Sequence, residues 1–382
     1  MNNIFSLQVT LLIGRFIPVP APPLLMESLQ NIEVTQSESS GFQISFLAQR
    51  SAGYMPDYTL QMTQLLTPGN RVIIIVTLNA IPRVLMDGMI THQQFAPSNN
   101  GPATLTVTGQ DISIAMDMYE VSVAHPPVGV DAIVELILLK YASLGFEPLV
   151  IPPIAGSIPD INDPTILQRG TDRSYVQSLA AANDYVFFVH PGLAPMQNIA
   201  YWGPVMRIAL PQKALTVDAG PETNVESISF SYDGLAPVQV SGAVSDLESE
   251  TDIPIATWTS SRLPPLSSLP PLIVNQPFVR QQELSYQGSS FIEAEALAQA
   301  ITDQSVDSVV TASGTLDALR YGDILTAPGI VGVRGVGFSY DGYYMVKQVS
   351  HQISQGKYTQ SFSLNREGLG STTPIVSTLG VW

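Results

Sequence analysis

Apolar and polar positions alternate with a period of two through much of the first third of the chain. Gln43-Ile44-Ser45-Phe46-Leu47 alternates, Ala103 to Gly109 sets Leu105 and Val107 between threonines, and Arg71 to Leu78 is a β-branched run. Successive side chains of a strand point to opposite faces, so these patterns predict short, half-buried strands. The turn signals Thr67-Pro68-Gly69-Asn70 and Asp87-Gly88 separate them. Closely spaced strands of this kind predict a barrel or sandwich rather than a parallel sheet, in an all-β domain over 1–125. After Pro126-Pro127 the period lengthens, and Val130, Ile133, Val134, Ile137, Tyr141 and Leu144 share one face of a helix that Gly145 can end. Thr171 or Asp172 then caps a second helix with the stripe Tyr175, Val176 and Leu179, ending near Asn183 before the strand-like Tyr185 to Val189. Residues 126–195 therefore read as a small α/β insert.

Strand patterns return at Val205 to Leu210, Glu226 to Tyr232 and Val238 to Gly242, the first part of a second barrel over 196–258. Residues 259–318 read as a connector and a helix. The pairs Pro264-Pro265 and Pro270-Pro271 predict an extended stretch over 259–277 with no regular element. Ser290 and Glu293 have capping-box spacing and open a helix carrying Ile292, Leu297, Ala298 and Ile301. Closing strands of the second barrel follow over 319–366, where Tyr344, Val346 and Gln348 alternate against Met345, Lys347 and Val349. The 358–364 segment pairs with them across Gln355-Gly356-Lys357. Phe-Ser-Tyr-Asp-Gly occurs at 230–234 and at 338–342, each read as a strand entering a hairpin turn, convergent rather than repeated because the flanks differ. A tail over 367–382 carries Leu369, Ile375, Val376, Leu379, Val381 and Trp382 with Glu367 as its one charge, so it docks on a partner or packs back on its own barrel. The fold class expected is β-rich α+β, with two antiparallel β-barrels and small α/β inserts.

Composition narrows the function. A chain of 382 residues is long enough for two to four domains. Apolar residues make up 45% and charged residues only 13%, so much of the surface is expected to be neutral polar or covered by partners, which favours an obligate assembly subunit over a free monomer. The net charge of -16 and the lack of a basic run argue against specific nucleic-acid binding. Without cysteine there is no disulfide, thiolate metal site or cysteine nucleophile. The apolar stretch Val9 to Ile17 is broken by Gly14 and Arg15 and lacks a cationic lead, so no signal peptide is expected. No apolar run is long enough to span a bilayer, and assembly in the cytoplasm is expected.

Candidate chemistry is sparse. His92, His125, His190 and His351 lack the spacings of zinc sites, and His351 reads as a structural hydrogen-bonding residue between strands. Asp246, Glu248, Glu250 and Asp252 alternate, but no glycine marks an oxygen-lined calcium loop, so they read as a solvated or lumen-facing acidic patch. Gly329 to Gly337 lacks both the dinucleotide spacing and the Lys-Ser/Thr of a phosphate loop, and reads as a loop or bulge. No paired carboxylates in a helix-rich region mark a cell-wall hydrolase. Accordingly no catalytic, cofactor-binding or metal residue is assigned, no cofactor is expected, and the chain reads as non-enzymatic.

Three stretches carry a family resemblance. The first is Gln168-Arg169-Gly170-Thr171-Asp172-Arg173-Ser174-Tyr175-Val176-Gln177-Ser178-Leu179-Ala180, followed by Asn183-Asp184-Tyr185-Val186-Phe187-Phe188-Val189. The second is Leu319-Arg320-Tyr321-Gly322-Asp323-Ile324-Leu325. The third runs from Gly342 to Ile353 and closes with Tyr358 to Arg366. In that order, with Leu105 to Asp111 before them, they resemble the phage late control protein D family, the baseplate hubs of contractile tails and phage-derived contractile injection systems. The resemblance implies two tube-like barrels per subunit and a homotrimeric ring that joins a hexameric inner tube to a central spike. Implied partners are the inner tube protein, a spike that is a separate polypeptide, baseplate wedge proteins and a tape measure protein. It implies a place in a virion tail baseplate or an injection particle. The net charge adds the expectation that acidity lines the lumen. The alternatives are a peptidoglycan- or carbohydrate-binding tail module and a cell-wall hydrolase.

Overall fold

A computed structural model describes residues 7–15, 17–49, 58–98, 102–153, 166–246, 251–284, 291–374 and 376. Its backbone is a thirteen-stranded sheet. Eleven strands form one path: Ser227–Tyr232, Val310–Asp317, Lys357–Arg366, Gly342–Ser354, Leu29–Gln36, Gly41–Ala48, Ala103–Asp111, Ile81–Ala96, Arg71–Leu78, Leu7–Gly14 and Val19–Pro20. Gly329–Arg334 joins Gly342–Ser354 from the side and pairs in parallel with Gln212–Thr216. The β-rich α+β architecture expected from the alternation is present, and the two β regions are joined. Antiparallel pairs Val349 with Gln36, His351 with Val34 and Ile353 with Ile32 fuse them into one sheet, and one buried cluster runs beneath both. Among the described residues neither half closes on itself through hydrogen bonds.

Long-range contacts overrule several local signals. Asp87-Gly88 is no turn but the middle of the strand Ile81–Ala96; Asp87 is buried against Arg71, and a Cβ on Gly88 would meet the Gln110 carbonyl oxygen at 2.1 Å. The hairpin turns instead at Asn79 and Ala80, both at positive φ (53° and 67°). A bulge between Val346 and Gln348 resets the alternation of the long strand, so Tyr344 and Val346 are followed inward by Val349, His351 and Ile353. Gly329–Arg334 is a buried strand rather than a loop. The second Phe-Ser-Tyr-Asp-Gly is a turn, whereas Phe230 of the first copy lies in a strand and packs on Tyr340 with ring centroids 4.9 Å apart.

The insert keeps its predicted helices. The first is shorter than expected: Val130–Leu139 buries Ile133, Val134 and Ile137, Tyr141 and Leu144 lie beyond it, and Gly145 at φ 86° ends the 3₁₀ turn Ala142–Leu144. Thr171 caps Asp172–Ala182 by accepting from the Ser174 N–H. Its three-stranded sheet takes in Asn198–Pro204, so the insert runs past residue 195. Val205 to Leu210 is irregular, with Ile208 and Leu210 exposed, because the flanking strand already ends at Pro204. Residues 238–256 leave the main sheet altogether. Val238–Asp246, Thr251–Ala256 and Arg280–Glu283 make a separate sheet under the helix Phe291–Val306, with a core of Val240, Val244, Ile255, Ala294 and Ala298. The proline-rich connector holds a strand, Ser267–Leu269, and a helical turn, Pro271–Val274. The sheet resumes at Val310, before the expected 319, and Leu319, Arg320 and Tyr321 sit in a helical turn capped by Asp317 and ended by Gly322 at φ 74°.

The start of the tail packs on its own chain. Glu367 is buried, Leu369–Ser371 pairs with Ser267–Leu269, and Val376 is buried over Gly332. Ile375, Leu379, Val381, Trp382, Ser290, Glu248 and Glu250 lie outside the described residues.

Candidate functional site

Alternation that sends Val, Ile and Phe inward sends every second residue outward, and across eight neighbouring strands most of those outward residues are serine, threonine and glutamine. One row, read through the ladder, is Ser227, Thr315, Ser361, Ser350, Thr35, Gly41 and Gln110. The next is Asp317, Thr359, Gln352, Glu33, Gln43, Thr108 and His92. On the other side of the first row lie Ser229, Ser313, Ser363 and Gln348. Hydroxyls meet across the strands: Ser227 Oγ and Thr315 Oγ1 at 2.9 Å, Ser229 and Ser313 at 3.2 Å, Thr35 and Ser350 at 3.3 Å. Such pairs add a few tenths of a kcal/mol each and stay wettable. The face crosses the seam between the two halves without a break, because Ser350 and Thr35 belong to the strands that join them.

Two carboxylates stand in these rows. Asp317 is engaged in capping, accepting from the Leu319 and Arg320 N–H groups, which leaves Glu33 as the acid of the central rows. An open hollow of about 620 Å³ lies against this end, lined by Glu33, Thr35, Gln43, Thr108, Gln110 and, from the insert helix, Arg173. Arg173 is held by Asp117 at 3.2 Å and Gln110 at 3.3 Å. A hydroxyl and amide surface of this kind offers many weak hydrogen bonds and little charge. The outward positions are visible in the sequence as the partners of Ile44, Val107 and Phe362, but register, which makes them one surface, is not.

The four histidines do not converge. His92 is exposed on the polar face. His125 stacks on Tyr175 and contacts Gln168 Oε1 at 2.7 Å, while the Gln168 amide donates to Asp172 at 2.6 Å. His190 Nδ1 lies 2.9 Å from the Pro191 carbonyl, and burial lowers its pKa. His351 is fully buried between strands, its Nδ1 2.9 Å from the Tyr358 hydroxyl and 3.1 Å from Gln360 Nε2, and burial pushes its pKa down to about 3. Among the described residues no group of three His, Cys, Asp or Glu is placed to hold a metal, and no helix is long and apolar enough to cross a membrane.

Two ion-pair groups, one buried and one partly buried and neither evident from sequence, fix the units around this sheet. Arg71 Nε and Nη2 grip Asp87 at 2.6 and 2.7 Å, Asn198 of the insert donates to Asp87 at 3.0 Å, and Arg71 reaches the Leu144 carbonyl at 2.8 Å. Arg207 joins Glu367 (3.0 Å) to Asp307 (2.9 Å), and Arg262 joins Asp307 (2.8 Å) to Asp184 (2.7 Å).

No family model matches the sequence, and no curated protein matches it. Solved structures do. A tail protein from Neisseria meningitidis aligns at TM-score 0.60 and 10% identity over 96% of this chain and 98% of its own. The 43 kDa tail protein of prophage MuSo2 from Shewanella oneidensis aligns at TM-score 0.60 and 11% identity, over 95% and 99%. A Francisella PdpA-VgrG complex aligns at TM-score 0.58 and 10% identity, over 98% of this chain and 61% of the matched one. From end to end, this chain has the fold of these tail proteins.

Proposed function

We propose that the chain is a non-enzymatic structural hub of a contractile tail or contractile injection system, a homotrimeric ring joining a hexameric inner tube to a central spike. The observation that carries this is the near-complete, two-way fold match to a bacterial and a prophage tail protein. The motifs that resemble late control protein D support it. So does the division of the sheet, with seven strands from residues 7–111 and six from residues 212–366: three copies present six such units to a six-fold tube. The inner tube protein, a separate spike, baseplate wedge proteins and the tape measure protein are the partners on this reading, and the particle is built in the cytoplasm of the producing bacterium. Native mass measurement of the chain with its genomic neighbours, and electron microscopy of the product, test it. A trimer capped by spike protein is expected; a chain that stays monomeric with tube and spike proteins present overturns it.

A further inference from the structure

The sheet face described above differs from the rest of the surface in one respect: large exposed apolar side chains are elsewhere. Tyr119, Leu136 and Leu139 stand on the insert, Ile208 and Leu210 follow it, and Leu235, Trp258, Leu263 and Phe278 surround the third unit and connector. Protein interfaces concentrate aromatic residues, methionine and arginine at their centres and are depleted in serine. By that criterion the apolar clusters are contact surfaces and the hydroxyl and amide face is not one. Yet it is broad, regular and continuous across the seam, in a chain of net charge -16 that places only Glu33 and the helix-capping Asp317 in its central rows.

We propose that this face remains wetted in the assembled particle as the wall of its axial channel, and that the wall is neutral, with the chain's acidity on other surfaces. The inference rests on the hub reading and replaces the expectation of an acidic lumen. A wall of short hydroxyls and amides keeps its own hydration and holds no patch of charge on which a passing polymer of either sign would lodge. The low charge also lets three copies face one another across a lumen without mutual repulsion.

The chain has no cysteine, so single cysteines can be read without background. Ser361→Cys and Gln352→Cys place thiols on two different strands of the face, both exposed and neither packed in the core. In the free chain, a small methanethiosulfonate reagent and a bulky maleimide-polyethylene glycol should both react. In the ring the small reagent should still react at close to its free-chain rate, and once tube and spike cap the ring, reaction with the bulky reagent should be lost. Loss of small-reagent labelling on ring formation would make the face a subunit contact and overturn the proposal. Undiminished bulky labelling of the capped particle would put the face on the outside and overturn it equally. In both cases the hub reading stands, whereas failure to form any ring, seen before labelling, removes both.

Discussion

Replacing Asp87 with alanine should be among the most damaging single changes in this protein, and the reason is geometric. The Asp87 side chain is fully buried and that of Arg71 is 4% exposed, with two nitrogen-oxygen contacts between them at 2.6 and 2.7 Å. Truncation strands the Arg71 guanidinium with the Leu144 carbonyl as its remaining acceptor and strips Asn198 Nδ2 of its partner. Breaking a buried pair from one side costs about 3–5 kcal/mol, because the surviving charge stays desolvated. For a cooperative unit of about 150–250 residues that is a fall in Tm of roughly 6–20 °C. Scanning calorimetry reads it directly. The double variant Arg71→Met with Asp87→Leu should recover much of the loss, since it removes both charges together, although the Asn198 amide and Leu144 carbonyl stay unpaired at about 1–3 kcal/mol each. Insert and sheet meet here, so limited proteolysis of Asp87→Ala should cut the insert before the sheet. A Tm within about 2 °C of the parent, or a double variant less stable than the single, would refute the stranded-charge argument.

Three further outcomes follow from other sites. His351 has its pKa lowered to about 3 by burial, so between that value and the unfolded value near 6.5 the unfolded state alone binds the proton; stability should fall as pH drops through this window, by up to about 1.4 kcal/mol per unit, and His351→Gln should remove that slope in urea titrations at stepped pH. Glu367→Ala should lower stability by about 3–5 kcal/mol, because Arg207 keeps only Asp307 and the Leu266 and Ser267 N–H groups lose their acceptor; equilibrium unfolding measures it, and Glu367→Gln should be milder. Deleting residues 372–382 should destabilise the isolated subunit, since Val376 is buried, with Val376→Ala alone costing about 1–3 kcal/mol by the same measurement.

The elements legible in the sequence were those whose signals are local. Thr171 begins a helix through a side-chain cap within four residues, as its type predicts, and Gly145 at positive φ ends a 3₁₀ turn just beyond the helix it was expected to close. Arg71 to Leu78 is a strand because β-branched residues leave it little alternative. Failures occurred where a partner distant in sequence decided the outcome. Asp87-Gly88 has turn chemistry, but an arginine sixteen residues earlier and a carbonyl across the sheet hold it extended. The glycines of Gly329–Arg334 imitate a loop; at Gly332 a Cβ would meet Val376 Cγ1 at 2.4 Å, and at Gly329 it would meet the Gln212 side-chain amide at 2.5 Å, so close packing rather than flexibility selects them. Residues 238–242 alternate as any strand does, and nothing in alternation says which sheet a strand joins.

That limit bears most on the polar face. Its residues are as plain in the sequence as the core residues between them, because each strand is read in both directions at once. What turns these ordinary surface positions into one object is register, which is set by bulges at Leu29/Asn31, Val346/Gln348 and Ile90/His92. Without the shift at Val346/Gln348, Gln348 and Ser350 would turn inward and Val349 and His351 outward, since a one-residue slip exchanges the faces of everything beyond it. The bulges therefore do two things together: they keep Val349, His351 and Ile353 in the common core, and they deliver a continuous, sparsely charged surface across the junction of the halves. Moving any one of these bulges would disrupt core and face at once, which no single serine substitution does.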